Sequence, residues 1–149
     1  MTVPPEAPSI FRQSVLEVRT PGRGLVELTR QVAEVVADSG VGIGLVVAFC
    51  RHTSASLVIQ ENADPSAARD LVAWFERLAP DGDPAYTHTL EGPDDMPAHL
   101  RSAVTRSSES IPVTSGELAL GTWQGLYLFE HRLAPQRRSV VIHVQGSPR

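Results

Sequence analysis

The sequence predicts an α+β domain, a single compact unit with a mixed or antiparallel sheet and about three helices. Three observations carry that prediction. Segments of helical period and segments of extended, β-branched character both occur, but they do not alternate strictly. The C-terminal third reads as a meander of strands joined by short turns. A chain of 149 residues that is 42% hydrophobic has material for one core and would starve a second.

Residues 1–9 carry three prolines and read as a loose tail ahead of the domain, which takes up the rest of 1–149. Ile10 to Arg19 is a strand by its β-branched and apolar content, and Thr20-Pro21-Gly22-Arg23-Gly24 is a turn. Leu25, Leu28, Val32, Val35 and Val36 recur at helical spacing, with Gly40 as the C-terminal stop. Ile43 to Phe49 is almost wholly apolar and predicts a buried strand, and Leu57-Val58-Ile59 a second one. Asp64-Pro65 starts a helix as N-cap and first-turn proline, and Ala68, Leu71, Val72, Phe75 and Leu78 form its buried stripe. Pro80 to Pro84 breaks it, and a shorter third helix begins near Pro97. Strands follow at Ile111–Thr114, Glu117–Leu120, Trp123–Glu130 and Ser139–Gln145. Along Trp123–Glu130, Gln124, Leu126, Leu128 and Glu130 share one face, and Tyr127, Phe129 and His131 the other. Trp123 is expected to be mostly buried.

Composition excludes several classes. No apolar run approaches the ~20 residues of a membrane-spanning helix. Met1-Thr2-Val3-Pro4-Pro5 lacks the basic start and apolar stretch of a secretory leader, and Cys50 has no disulfide partner, so a cytoplasmic location is expected. The net charge of −4 argues against a nucleic-acid binder. All 13 basic residues are arginine, which removes lysine Schiff-base chemistry and a Walker-type phosphate loop. An anionic ligand must therefore meet arginine, backbone amides, hydroxyls or a metal.

Three polar clusters stand out. Arg51-His52-Thr53-Ser54-Ala55-Ser56 interrupts two buried strands, where hydroxyls at a strand end suit oxyanion or phosphate contacts. The bland alternative is a Ser/Thr turn satisfying its own backbone, with His52 as a cap. His88, Asp94, Asp95 and His99 offer imidazoles and carboxylates across a loop into a helix, although the spacing matches no zinc motif and, on sequence alone, an acidic N-cap beside surface histidines is the favoured reading. Gly121-Thr122-Trp123-Gln124 offers an aromatic ring and an amide for a flat heterocycle, or an edge tryptophan packed under a helix. Arg137-Arg138 is a phosphate clamp or a solvated turn pair, and His143 reads as structural or interfacial.

His52-Thr53-Ser54-Ala55-Ser56-Leu57, Glu61-Asn62-Ala63-Asp64-Pro65, Pro97-Ala98-His99-Leu100 and Gly116-Glu117-Leu118-Ala119-Leu120-Gly121-Thr122-Trp123-Gln124 together resemble the YjbQ-like family, over about residues 10–146. The resemblance implies an α+β homotrimer with sites at or near subunit interfaces, and a family described as a secondary thiamine-phosphate synthase. The family's polar site positions fall on His52, Thr53, Ser54, Asn62, His88, His99, Gln124 and Glu130. Asp94-Asp95 departs from the Asp-Asn pair usual there.

The expected activity is accessory thiamine-phosphate synthesis, joining a hydroxymethylpyrimidine diphosphate to a thiazole phosphate with release of diphosphate. His52, His99 and Glu130 are its candidate catalytic residues. Thr53, Ser54, Asn62, Gln124, Arg137 and Arg138 are candidates for holding the phosphorylated substrate. His52, His88 and His99 are the candidate ligands of a divalent metal, Mg or Zn. A non-catalytic trimeric protein binding a metal or phosphometabolite, and a metal-dependent hydrolase, are the alternatives.

Overall fold

The computed structural model describes residues 8–149, so most of the proline-rich tail lies outside the described residues. In chain order the elements are β1 (Ile10–Thr20), β2 (Gly24–Glu27), α1 (Thr29–Ser39), β3 (Val41–Cys50), β4 (Ala55–Glu61), α2 (Pro65–Leu78), α3 (Asp95–Val104), β5 (Ser108–Thr114), β6 (Glu117–Leu118), β7 (Gln124–Glu130) and β8 (Gln136–Pro148). The strands form a five-stranded sheet in the order β1-β8-β3-β5-β6 and a three-stranded sheet in the order β2-β7-β4. Every strand pairing is antiparallel.

One core lies between the large sheet, α1 and the inner face of the small sheet. Val46, Ala48, Ile142 and Val144 meet Val32, Val36, Leu57, Leu126 and Leu128 there. The outer face of the small sheet carries Val58, Tyr127 and Phe129 under Phe75 of α2. The small sheet is thus covered on both faces, which is why β7 reads as continuous apolar sequence rather than as alternation. Phe75 and Phe129 meet edge to face with ring centroids 5.2 Å apart.

The helix signals act as expected at two ends. Gly40 caps α1 in the left-handed conformation at φ 77°. Asp64 Oδ1 accepts from the Ser66 amide at 2.9 Å, with Pro65 in the first turn of α2.

Leu25 departs from the helix expected of it. Leu25 and Val26 lie in β2, paired with Phe129 and Leu128, so tertiary pairing overrides the helical spacing there. The Ile43–Phe49 run is buried on one face only: Val46 and Ala48 point inward, whereas Ile43 is 68% exposed and Phe49 also faces outward. With Phe11 and Val15 of β1 these are exposed apolar side chains on the outer face of the large sheet, which they share with Gln13, His143 and Gln145. Trp123 lies just ahead of β7 and is 64% exposed, contrary to the expected burial.

Candidate metal centre and its flanking cleft

Asp95 opens α3, and His99 follows one helical turn later on the same face. The loop between α2 and α3 brings His88 back against them. His88 Nε2 lies 2.7 Å from Asp95 Oδ2, and His99 Nε2 lies 3.1 Å from the same oxygen. The three ligand atoms all fall within 4.8 Å of one another. This is donor convergence from one loop and one helix turn.

The surroundings orient those donors. His99 Nδ1 lies 2.8 Å from the Thr53 carbonyl and so donates to it, which leaves the Nε2 lone pair of a neutral ring directed at Asp95 Oδ2. Two lone pairs facing each other at that distance call for a proton or a cation between them. A divalent metal held by His88 Nε2, Asp95 Oδ2 and His99 Nε2 fits the donor chemistry, two imidazoles and one carboxylate with further positions left open. Asp95 is 2% exposed while His88 faces solvent, so the carboxylate forms the floor of the site. Burial alone pushes the Asp95 carboxyl upward, but the bonds and charges of His88, His99 and Arg132 together outweigh it and hold the group below the usual carboxylate range. It is ionised and available as a ligand at neutral pH.

On the other side of Thr53 lies a cleft of about 600 Å³ whose lining includes Arg51, His52, Thr53, Ser54, Ser107 and Arg138. His52 is not a member of the three-ligand group. Its Nε2 accepts from the Ser139 amide at 2.7 Å, so the neutral ring carries its proton on Nδ1. Burial, then the nearby Arg138 guanidinium, push the His52 ring below the ordinary histidine value. Within one chain the group that could hold a metal is therefore His88 and His99 with Asp95 in the place expected for His52.

Glu130 is fully buried and saturated. Its Oε1 accepts from Thr20 Oγ1 at 2.7 Å and Arg138 Nε at 2.8 Å, and its Oε2 accepts from Arg138 Nη2 and from the amides of His131 and Arg132. No lone pair remains for a substrate, and Glu130 serves as an internal anchor rather than as a catalytic group. Arg138 is bound in return, with Nη2 donating to Glu130 and to Ser54 Oγ and O, so Ser54 is also engaged. Arg137 and Arg138 do not form a clamp: both lie in β8, where successive side chains point to opposite faces, and Arg137 is exposed beside Gln136 and Arg19. Asn62 and Gln124 sit at the far end of the small sheet. The β4–β7 register runs from Ala55 opposite Glu130 to Glu61 opposite Gln124, and six strand steps of ~3.3 Å separate the two ends by roughly 20 Å. Asn62 Nδ2 donates to the Gln124 carbonyl at 3.3 Å, and neither residue reaches the histidines of its own chain.

A model of the family described as UPF0047 protein YjbQ-like matches residues 14–147. The chain belongs to that family. A UPF0047 protein of Synechocystis is 51% identical to this YjbQ-like chain over 134 residues, 90% of this chain and 91% of the relative. The UPF0047 protein YjbQ of Escherichia coli O157:H7 is 38% identical, covering 92% of this chain and 99% of the relative. Among solved structures, a hypothetical protein of Aeropyrum pernix superposes with TM-score 0.84 at 31% identity, covering 91% of this chain and 99% of that one. A conserved hypothetical protein of Thermus thermophilus gives TM-score 0.78 at 38% identity, with 87% and 97% covered. The YjbQ-like α+β fold expected from sequence is therefore shown.

Two side chains at the candidate centre of this YjbQ-like domain are not among the ligands expected from sequence. Asp95 belonged to the His88/His99 cluster, and its i, i+4 relation to His99 was the signal that it shares their face. Arg132 gave no local signal, because its partners Asp94 and Asp95 lie 38 and 37 residues away.

Proposed function

We propose that this protein is a metal-dependent enzyme acting on a phosphorylated small molecule, with accessory thiamine-phosphate synthesis as its reaction. The observation that carries the metal part is the convergence of His88 Nε2, Asp95 Oδ2 and His99 Nε2. The cleft beside Thr53 supports an anionic ligand: it holds the exposed Arg51 guanidinium and the Thr53 and Ser107 hydroxyls, in a chain without lysine.

In that reaction the bond between the pyrimidine methylene carbon and the diphosphate oxygen breaks, and diphosphate leaves with the electron pair. The thiazole nitrogen lone pair then forms the new C–N bond to that carbon, giving thiamine phosphate and diphosphate. A bound divalent metal supplies charge neutralisation on the leaving diphosphate. The chain's own residues bind and orient. Arg51 and the Thr53 hydroxyl would face the anion, the His99–Thr53 bond ties cleft and donor set together, and buried Asp95 forms the floor beneath the solvent-facing His88. No proton transfer is needed, which agrees with a Glu130 that has no free oxygen.

A metal-dependent hydrolase is the second reading, favoured by one observation: two histidines and a carboxylate with open positions is the donor pattern of catalytic zinc. The reading also includes a homotrimer and a cytoplasmic location. Self-association covers the outer face bearing Phe11, Val15, Ile43 and Phe49.

The test is to strip the protein with chelator, titrate it with Zn²⁺ or Mg²⁺, and assay thiamine-phosphate formation from the two phosphorylated halves. Metal-dependent product that disappears in His99→Ala supports the synthase. Metal binding without product, but with hydrolysis of a phosphate ester, transfers the site to the second reading. No metal binding overturns both.

A further inference from the structure

We infer that Arg132 is the positioning residue of the His88–Asp95–His99 centre, fixing Asp95 so that only Oδ2 is offered between the two imidazoles; this rests on the metal reading above. A free carboxylate presents two oxygens and rotates. Here Arg132 Nη1 donates to Asp95 Oδ1 at 2.7 Å, which occupies one oxygen and leaves the other toward His88 and His99. The guanidinium is itself immobilised. Its Nε donates to Asp94 Oδ2 at 3.0 Å, its Nη2 to the Glu91 carbonyl at 2.9 Å, and its backbone amide to Glu130 Oε2 at 3.2 Å. Asp94 Oδ2 also accepts from the Leu133 amide at 2.9 Å. The support runs inward from Asp95 through Arg132 and Glu130 to Arg138, whose guanidinium is itself buried.

A cation beside a metal ligand repels the metal, and Asp94 meets that objection. Asp94 and Asp95 together carry two negative charges against the single positive charge of Arg132, so the assembly stays net anionic before a metal arrives. The planar fork is needed because the two carboxylates are approached along different directions, through Nε and through Nη1. Lysine, a single point of charge, bonds one carboxylate well and loses the other. Outer-shell partners of this kind typically change metal affinity 10–100-fold when removed.

Charge and geometry are separated by the double variant Arg132→Gln with Asp94→Asn, which removes one charge of each sign. Full-length, metal-stripped wild type, the double variant and Arg132→Lys are titrated with Zn²⁺ alone, with Co²⁺ loading read by visible absorption as a report on ligand geometry. Circular dichroism checks folding. The expected result is a Zn²⁺ Kd raised about 10–100-fold in the double variant with an altered Co²⁺ band, and a smaller loss with an altered band in Arg132→Lys. Folded variants that bind Zn²⁺ within twofold of wild type and keep its Co²⁺ spectrum overturn the role of Arg132, while wild-type binding leaves the proposed function standing. If the double variant does not fold, Arg132→Lys decides alone by the same two readouts. Wild type that takes up no Zn²⁺ or Co²⁺ overturns the metal reading and this inference with it.

Discussion

Lowering the pH from 8 to 5 should destabilise the fold by about 2 kcal/mol through His131 alone. This side chain is fully buried, with its ring 4.4 Å from that of Phe129. One nitrogen, Nε2, lies 2.8 Å from Ser56 Oγ, and the other, Nδ1, has no partner among the described residues. A protonated ring must donate from both nitrogens, so protonation would leave a charged donor unmatched. Burial first, then the guanidinium groups of Arg101, Arg23 and Arg138, push its pKa from 6.5 down to about 3. The folded pKa is depressed, so between the two values the unfolded chain binds the proton and the native one does not. Stability is therefore full above the unfolded pKa of 6.5 and is lost as pH falls below it. At pH 5 the loss covers about 1.5 pH units at about 1.4 kcal/mol each, and Tm falls by roughly 4–8 °C for a chain of this size. His52, also shifted downward, adds a loss of the same sign. Carboxylates held low, such as Asp94, contribute only below their ordinary value of 3.8. The assay is thermal or urea unfolding at fixed protein concentration across this range, for wild type and His131→Gln, which keeps an acceptor for Ser56 but cannot titrate. The variant's loss of stability between pH 8 and 5 should be smaller by about 2 kcal/mol. Equal slopes in the two proteins would refute the claim that His131 is held neutral.

His99→Ala and Asp95→Asn should each abolish stoichiometric metal binding by a chelator-stripped sample, measured by titration calorimetry, whereas His52→Ala should retain it because His52 Nε2 is engaged by Ser139. Glu130→Ala leaves the Arg138 guanidinium buried and unpaired and should cost about 3–5 kcal/mol in urea unfolding; a change near zero would show that the pair is open to water. Trp123→Ala should move stability by less than about 0.5 kcal/mol, as expected for an exposed side chain, and Trp123 fluorescence should respond to assembly or ligand if that surface is used. Light scattering should give about three times the 16.1 kDa chain mass, and Phe11→Ser with Phe49→Ser should lower it if the outer sheet face forms the contact.

What was legible in the sequence follows from which interactions are local. The start of α2 was readable because Asp64 and Pro65 act on their own helix within three residues. The two faces of β7 were readable because strand alternation is a local rule. Leu25 misled because β2 exists only through its pairing with β7, about a hundred residues downstream. Trp123 misled for a related reason: a large aromatic next to an apolar strand looks like core, but the strand's pairing stops at Gln124, opposite Glu61, and the loop before it turns outward. The site divides in the same way. His88, Asp95 and His99 lie within twelve residues, and their convergence needs only one loop and one turn of helix. The separation of Asn62 and Gln124 from them is fixed by the β4–β7 register, which no local motif reports. Residues that share a family motif therefore need not share a site within one chain. If Asn62 and Gln124 serve the same ligand as His99, a neighbouring subunit must supply them. That gives the proposed trimer a functional test: subunits carrying only Gln124→Ala mixed with subunits carrying only His99→Ala should recover part of the activity that neither has alone. Recovery absent from mixed trimers of confirmed composition would mean that Asn62 and Gln124 act apart from the His88–Asp95–His99 group.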